Sequence, residues 1–112
     1  MQQTPKPIKV KDIKDLGRFV ASVLSFGQPA YLIHFEHNGK HIYGFLAVYH
    51  DYYNLYGLPL FYYYESDKQL NGNYLAVKMS DHEEVMITDG VKPGWLAAPI
   101  INLHSKPDFL MI

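Results

Sequence analysis

The sequence predicts an α+β domain in which one N-terminal helix packs on an antiparallel sheet of about five to six strands. Three observations carry that expectation. An apolar stripe of helical period occupies residues 9–26, the pattern changes to period two beyond Pro29, and an Asn38-Gly39 dipeptide sits between two runs rich in aromatic and branched residues.

Residues 1–8 carry Pro5 and Pro7 among polar neighbours and read as a flexible arm ahead of a single domain over 9–112. From Lys9 to Phe26 the apolar positions Val10, Ile13, Leu16, Val20, Val23 and Leu24 recur at three- and four-residue steps, as one face of a helix does. Gly27 followed by Pro29 stops it. Gly17 within the stripe costs about 1 kcal/mol of helix propensity relative to Ala, so it marks a close contact or a weak point.

Asn and Gly both tolerate the positive φ that a two-residue hairpin loop requires. Counting outward from Asn38-Gly39 pairs His37 with Lys40, Glu36 with His41, Phe35 with Ile42, His34 with Tyr43 and Ile33 with Gly44. Side chains alternate between faces along a strand. One face then carries Tyr31, Ile33, Phe35, Ile42, Leu46 and Val48, and is expected to be the core under the helix. The other carries Leu32, His34, Glu36, His41, Tyr43, Phe45 and Tyr49, and is expected to be wet. Further strands are expected at 60–66, 73–80, 84–88 and 95–103, divided by turn-rich segments at 57–59, 67–72, 81–82 and 89–94. Trp95 and the closing Phe109-Leu110-Met111-Ile112 are too apolar for a solvated tail. They are expected to dock on the chain's own sheet as an edge strand, with strand addition to a neighbouring subunit as the alternative.

A chain of 112 residues suits one domain, and 48% hydrophobic residues suffice for a core. The absence of Cys excludes a disulfide scaffold, thiol catalysis and Cys-ligated zinc. A net charge of -1 argues against a surface that is basic all round, as a general nucleic-acid binder would be. No apolar run reaches the roughly 18 residues of a membrane span, and residues 1–18 lack the apolar core of a signal peptide. An intracellular, cytoplasmic protein without a membrane partner is the expectation. Lysine far outnumbers the single Arg18, which with the many Tyr, Ile and Asn points to AT-rich codons and loosely to a thermophilic or viral source.

Candidate chemistry is sparse. HExxH, Walker A, GxSxG and dinucleotide glycine patterns are absent, no serine has the setting of an activated nucleophile, and no cofactor is implied. The exception is the hairpin face with His34, Glu36, His41 and Tyr43, whose Cβ atoms would be cross-strand neighbours at roughly 4.5 to 8 Å. Two imidazoles and a carboxylate are the donors of non-haem iron and catalytic zinc sites. A small metal-dependent enzyme with His34, Glu36 and His41 as ligands is therefore one alternative; a polar, solvated strand face is the plainer reading.

Tyrosine density between Tyr43 and Tyr74 is the least ordinary feature. Tyr is enriched at binding hot spots because it offers a large apolar body and a polar tip. The favoured function is a small non-enzymatic module that binds a protein partner, or forms a homo-oligomer, through Tyr49, Tyr52, Tyr53, Tyr56, Tyr62 and Tyr64. Base stacking would need cations beside these rings, yet the stretch from Tyr43 to Tyr74 has only Lys68 against Asp51, Glu65 and Asp67. Residues 1–18 instead carry a net charge of +3. A second alternative is thus nucleic-acid binding, with Lys9, Lys11, Lys14 and Arg18 on phosphates and some tyrosines stacking on bases.

Overall fold

The computed structural model describes residues 4–47 and 59–112. The chain runs β1 (Lys6–Lys9), α1 (Ile13–Ser25), β2 (Leu32–His37), β3 (Lys40–Ala47), β4 (Leu60–Ser66), β5 (Tyr74–Lys78), β6 (Val85–Thr88) and β7 (Trp95–Asn102). One seven-stranded sheet results, in the order β1-β4-β3-β2-β7-β5-β6. The expected α+β class holds, with more strands and a mixed sheet: β1 runs parallel to β4 and β2 parallel to β7. Among the described residues no helix is long and apolar enough to cross a membrane.

The helix begins at Ile13 rather than Lys9 because Asp12 caps it, its carboxylate accepting the Lys14 N–H at 3.0 Å. It ends where Gly27 turns left-handed at φ 76°, with the Gly27 N–H donating to the Leu24 carbonyl at 3.0 Å. Gly17 is a close contact: a Cβ there would lie 2.6 Å from Cγ2 of Val85, so its small size lets the helix cross tightly over β6.

Residues 6–8 of the expected arm, together with Lys9, form β1. Its Lys6 N–H donates to the Pro59 carbonyl and the Val10 N–H to the Tyr63 carbonyl, at 3.0 and 2.8 Å. Even-numbered residues therefore turn their backbone groups toward β4, and Pro7 points its missing donor outward, where a sheet edge has no partner for it. A four-residue parallel edge strand with a proline leaves no hairpin cue in a sequence, which is why it read as an arm.

The β2–β3 hairpin has the counted register at all five pairs, and Asn38 and Gly39 take φ 53° and 78°. The covering of its faces is the reverse of the expectation. The helix stripe (Leu16 and Val20, with Ile13, Phe19, Val23 and Leu24) packs on Leu32, Tyr43, Phe45, Leu75, Ala98 and Ile100. Tyr43 is 1% exposed there. The opposite face, with Phe35, Ile42 and Phe61, is covered by the C-terminal tail through Leu103, Leu110 and Ile112. Both faces are apolar and each has its own cover, so apolar alternation alone does not select the helix side.

The tail after β7 therefore docks within the chain, but β7 itself is internal rather than an edge strand. Its first half, Trp95 to Pro99, pairs with β5, and its second half, Ile100 to Asn102, pairs with β2. The Ile100 N–H donates back to the Asn73 carbonyl at 2.8 Å and the Leu103 N–H to the His34 carbonyl at 2.8 Å. Odd-numbered donors thus face β2, and Pro99 falls one residue before that pairing starts, where its missing N–H removes no bond. Lys106 closes the tail by donating to the Leu110 carbonyl at 2.6 Å, and burial of Leu110 contributes roughly 1.5–3 kcal/mol.

Residues 67–73 carry the chain from β4 past three strands to β5. Buried Tyr43 holds this crossing, its hydroxyl accepting the Leu70 N–H at 2.8 Å. On the other face the Phe61 ring lies directly over Gly44, and a methyl group there would overlap ring atoms. Gly44→Ala is therefore expected to lower unfolding stability by roughly 1–3 kcal/mol in a urea titration; an unchanged midpoint would show that Phe61 does not occupy that space.

Candidate functional site

Two places combine exposure or reactivity with defined geometry. The first is a polar chain at the junction of β2, β3 and β7. His34 is only 7% exposed and stacks on Tyr43 at 4.5 Å between ring centroids. Its Nδ1 lies 2.7 Å from Oδ1 of Asn102, and its Nε2 lies 2.9 Å from Nδ1 of His41. An amide oxygen can only accept, so His34 Nδ1 carries a hydrogen; in the neutral ring Nε2 then accepts, and His41 Nδ1 must donate. This leaves a lone pair on Nε2 of the half-exposed His41. A proton that binds there has no onward path past His34, because the Asn102 amide oxygen only accepts a hydrogen bond, so the chain is a fixed polar seam.

Burial pushes the His34 pKa below its ordinary value, and the neighbouring His41 adds to the effect; the Asn102 hydrogen bond and the Glu36 charge oppose it. Of the expected ligand set, the structure brings the two imidazoles together and leaves Glu36 exposed opposite His41 in the ladder. Among the described residues no group of three or more His, Asp or Glu side chains is placed to hold a metal ion. Asn102 had no sequence signal, because its placement depends on the parallel β2–β7 pairing.

The second place is an apolar pocket of about 240 Å³ at the open end of the β2–β3 hairpin, floored by Ile33, Gly44 and Phe61. Tyr31, Leu46 and Phe109 line it while 56%, 42% and 51% exposed. Two of the expected partner-binding tyrosines, Tyr62 and Tyr64, stand instead on the helix face and pack against the core there. Tyr62 stacks on Phe19 with centroids 4.1 Å apart. Tyr49, Tyr52, Tyr53 and Tyr56 lie outside the described residues.

The expected phosphate-binding cations are partly neutralised. Lys9 pairs with Glu65 at 3.6 Å, and Arg18 with Asp15 at 3.2 Å and Glu83 at 3.1 Å, while Lys11 and Lys14 are exposed. No protein-family model, curated protein or solved structure matches the chain.

The lowered pKa of His34 has a definite sign for stability. The unfolded chain takes up the proton first as pH falls, so the contribution present above the ordinary histidine value near 6.5 is lost as pH drops through the folded value. Wild-type stability is expected to fall as pH drops below about 6.5, with a slope from this group of at most about 1.4 kcal/mol per pH unit. His34→Gln should flatten the slope; an unchanged slope in the variant would show that His34 is not the responsible group.

Proposed function

We propose that this chain is a small non-enzymatic interaction module that binds a protein partner through an aromatic surface. The observation that carries the reading is the apolar pocket at the open end of the hairpin. It combines a preformed concavity with three exposed apolar side chains on its rim, whereas most surface apolar residues stand singly. Pockets of this kind receive the aromatic or aliphatic anchors that dominate binding energy. Sequence adds to it: one residue beyond Leu46 and Ala47 the chain enters the stretch that contains Tyr49, Tyr52, Tyr53 and Tyr56.

The polarity of the charge also supports a protein ligand over a nucleic acid, since two of the four proposed phosphate-binding cations already hold carboxylates. Association should therefore survive nuclease and high salt, whereas phosphate-driven binding weakens steeply as salt rises. In affinity capture from source-cell extract and in sedimentation of the purified chain, two variants are informative: Tyr31→Ser with Phe109→Ser, and Tyr52→Ser with Tyr53→Ser and Tyr56→Ser. Each is expected to reduce association at least about tenfold, equivalent to 1.4 kcal/mol, with the melting temperature near that of wild type. Association that persists in both variants, or that vanishes with nuclease, would contradict the proposal.

A further inference from the structure

The two edges of the sheet are not alike. At the β1 edge the outward-facing positions are Pro7, which has no N–H, and Lys9, whose charge resists docking of another strand. That edge is closed by its own sequence. The β6 edge, Val85-Met86-Ile87-Thr88, has neither lysine nor proline.

Its backbone orientation follows from one bond. The Lys78 N–H donates to the Glu84 carbonyl at 3.0 Å, so even-numbered residues of β6 face β5 and odd-numbered ones face away. Val85 and Ile87 thus direct their N–H and C=O groups to the outside of the sheet. Their side chains pack inward beneath the helix, Val85 against Gly17, which holds the strand in place. Four backbone groups are therefore presented on a fixed, extended template.

Charge restricts what can pair with that template. Asp81, Glu83 and Glu84 precede the strand and Asp89 follows it. Glu83 is held by Arg18 and Glu84 by Lys78, whereas Asp81 and Asp89, one at each end, have no salt bridge among the described residues. A second copy of β6 running antiparallel, with Val85 opposite Ile87, would set Glu83 against Asp89 and repel itself. The β1 edge of a second copy lacks the donor at Pro7. An extended segment of another protein, with β-branched residues at its centre and a Lys or Arg toward each end, satisfies both the backbone and the charges.

We propose that the β6 edge binds such a basic-flanked strand by β-augmentation. This site is separate from the hairpin pocket, so its failure leaves the proposed function standing, and the reverse. The probe is an acetylated, amidated hexapeptide Lys-Val-Thr-Val-Thr-Lys, titrated into the ¹⁵N-labelled chain. Its counterparts are the same peptide with Glu at both ends, and one N-methylated at alternate residues along the docking edge.

Saturable amide shifts centred on Val85 and Ile87 are expected with the basic peptide, about tenfold weaker binding with the acidic one, and none with the N-methylated one. Asp81→Asn with Asp89→Asn keeps the Asp81 side-chain acceptor for the Glu83 N–H, and should weaken the basic peptide about tenfold. Absence of binding, equal binding of all three peptides, shifts centred elsewhere, or pairing of two copies through β6 would each overturn the proposal.

Discussion

The sheet depends on β7 serving two partners in succession. Four strands, β1, β4, β3 and β2, lie to one side of it and two, β5 and β6, to the other. The second half of β7 joins β2 over only three residue pairs. Three pairs of a parallel ladder are a modest connection, and the structure braces them. His34 reaches Asn102 across this seam, the Leu103 N–H closes on the His34 carbonyl, and Tyr43 under His34 anchors the crossing at Leu70. A polar chain is thus placed where the two halves meet, and its members are satisfied: among the described residues no buried side-chain nitrogen or oxygen lacks a partner.

What the sequence conveyed was the local part of this design. The helix stripe, its stop at Gly27 and the hairpin register all depend on residues within a few positions of one another, and each was legible. The β1 strand and the dual pairing of β7 depend on partners about 50 to 70 residues away, and nothing in a four-residue strand or a proline-containing strand identifies a parallel partner. The faces of the hairpin reversed for a related reason. Phe35 and Ile42 are as apolar as Leu32 and Phe45, and the choice of cover was made by the tail and the helix. That the tail docks was legible because Leu110 and Ile112 have no stable place in water. Its seat over Phe35, Ile42 and Phe61 was not, since apolarity alone does not choose between its own chain and a neighbour.

The candidate sites divide along the same line. His34 and His41 could be placed together from the register alone, but their hydrogen bond to Asn102, and hence the direction of the proton along the pair, required the β2–β7 seam. Tyr62 and Tyr64 show the limit of reading aromatic density as surface, since a strand covered on both faces has room for tyrosines inside. The pocket rim of Tyr31, Leu46 and Phe109 gathers residues from the start of β2, the end of β3 and the tail, and no pattern in the chain announced it.

Long-range ¹H–¹⁵N NMR of the imidazole nitrogens at neutral pH tests this arrangement most directly, because it reads which ring nitrogen carries the proton. The seam requires a protonated Nδ1 on His34 with an unprotonated Nε2, and a protonated Nδ1 on His41. That pattern, unaffected by distant surface substitutions and lost in Asn102→Ala, is the expected result. A His34 ring that carries its hydrogen on Nε2, or two rings averaging freely between tautomers, would contradict the account of how the halves of the sheet are held together.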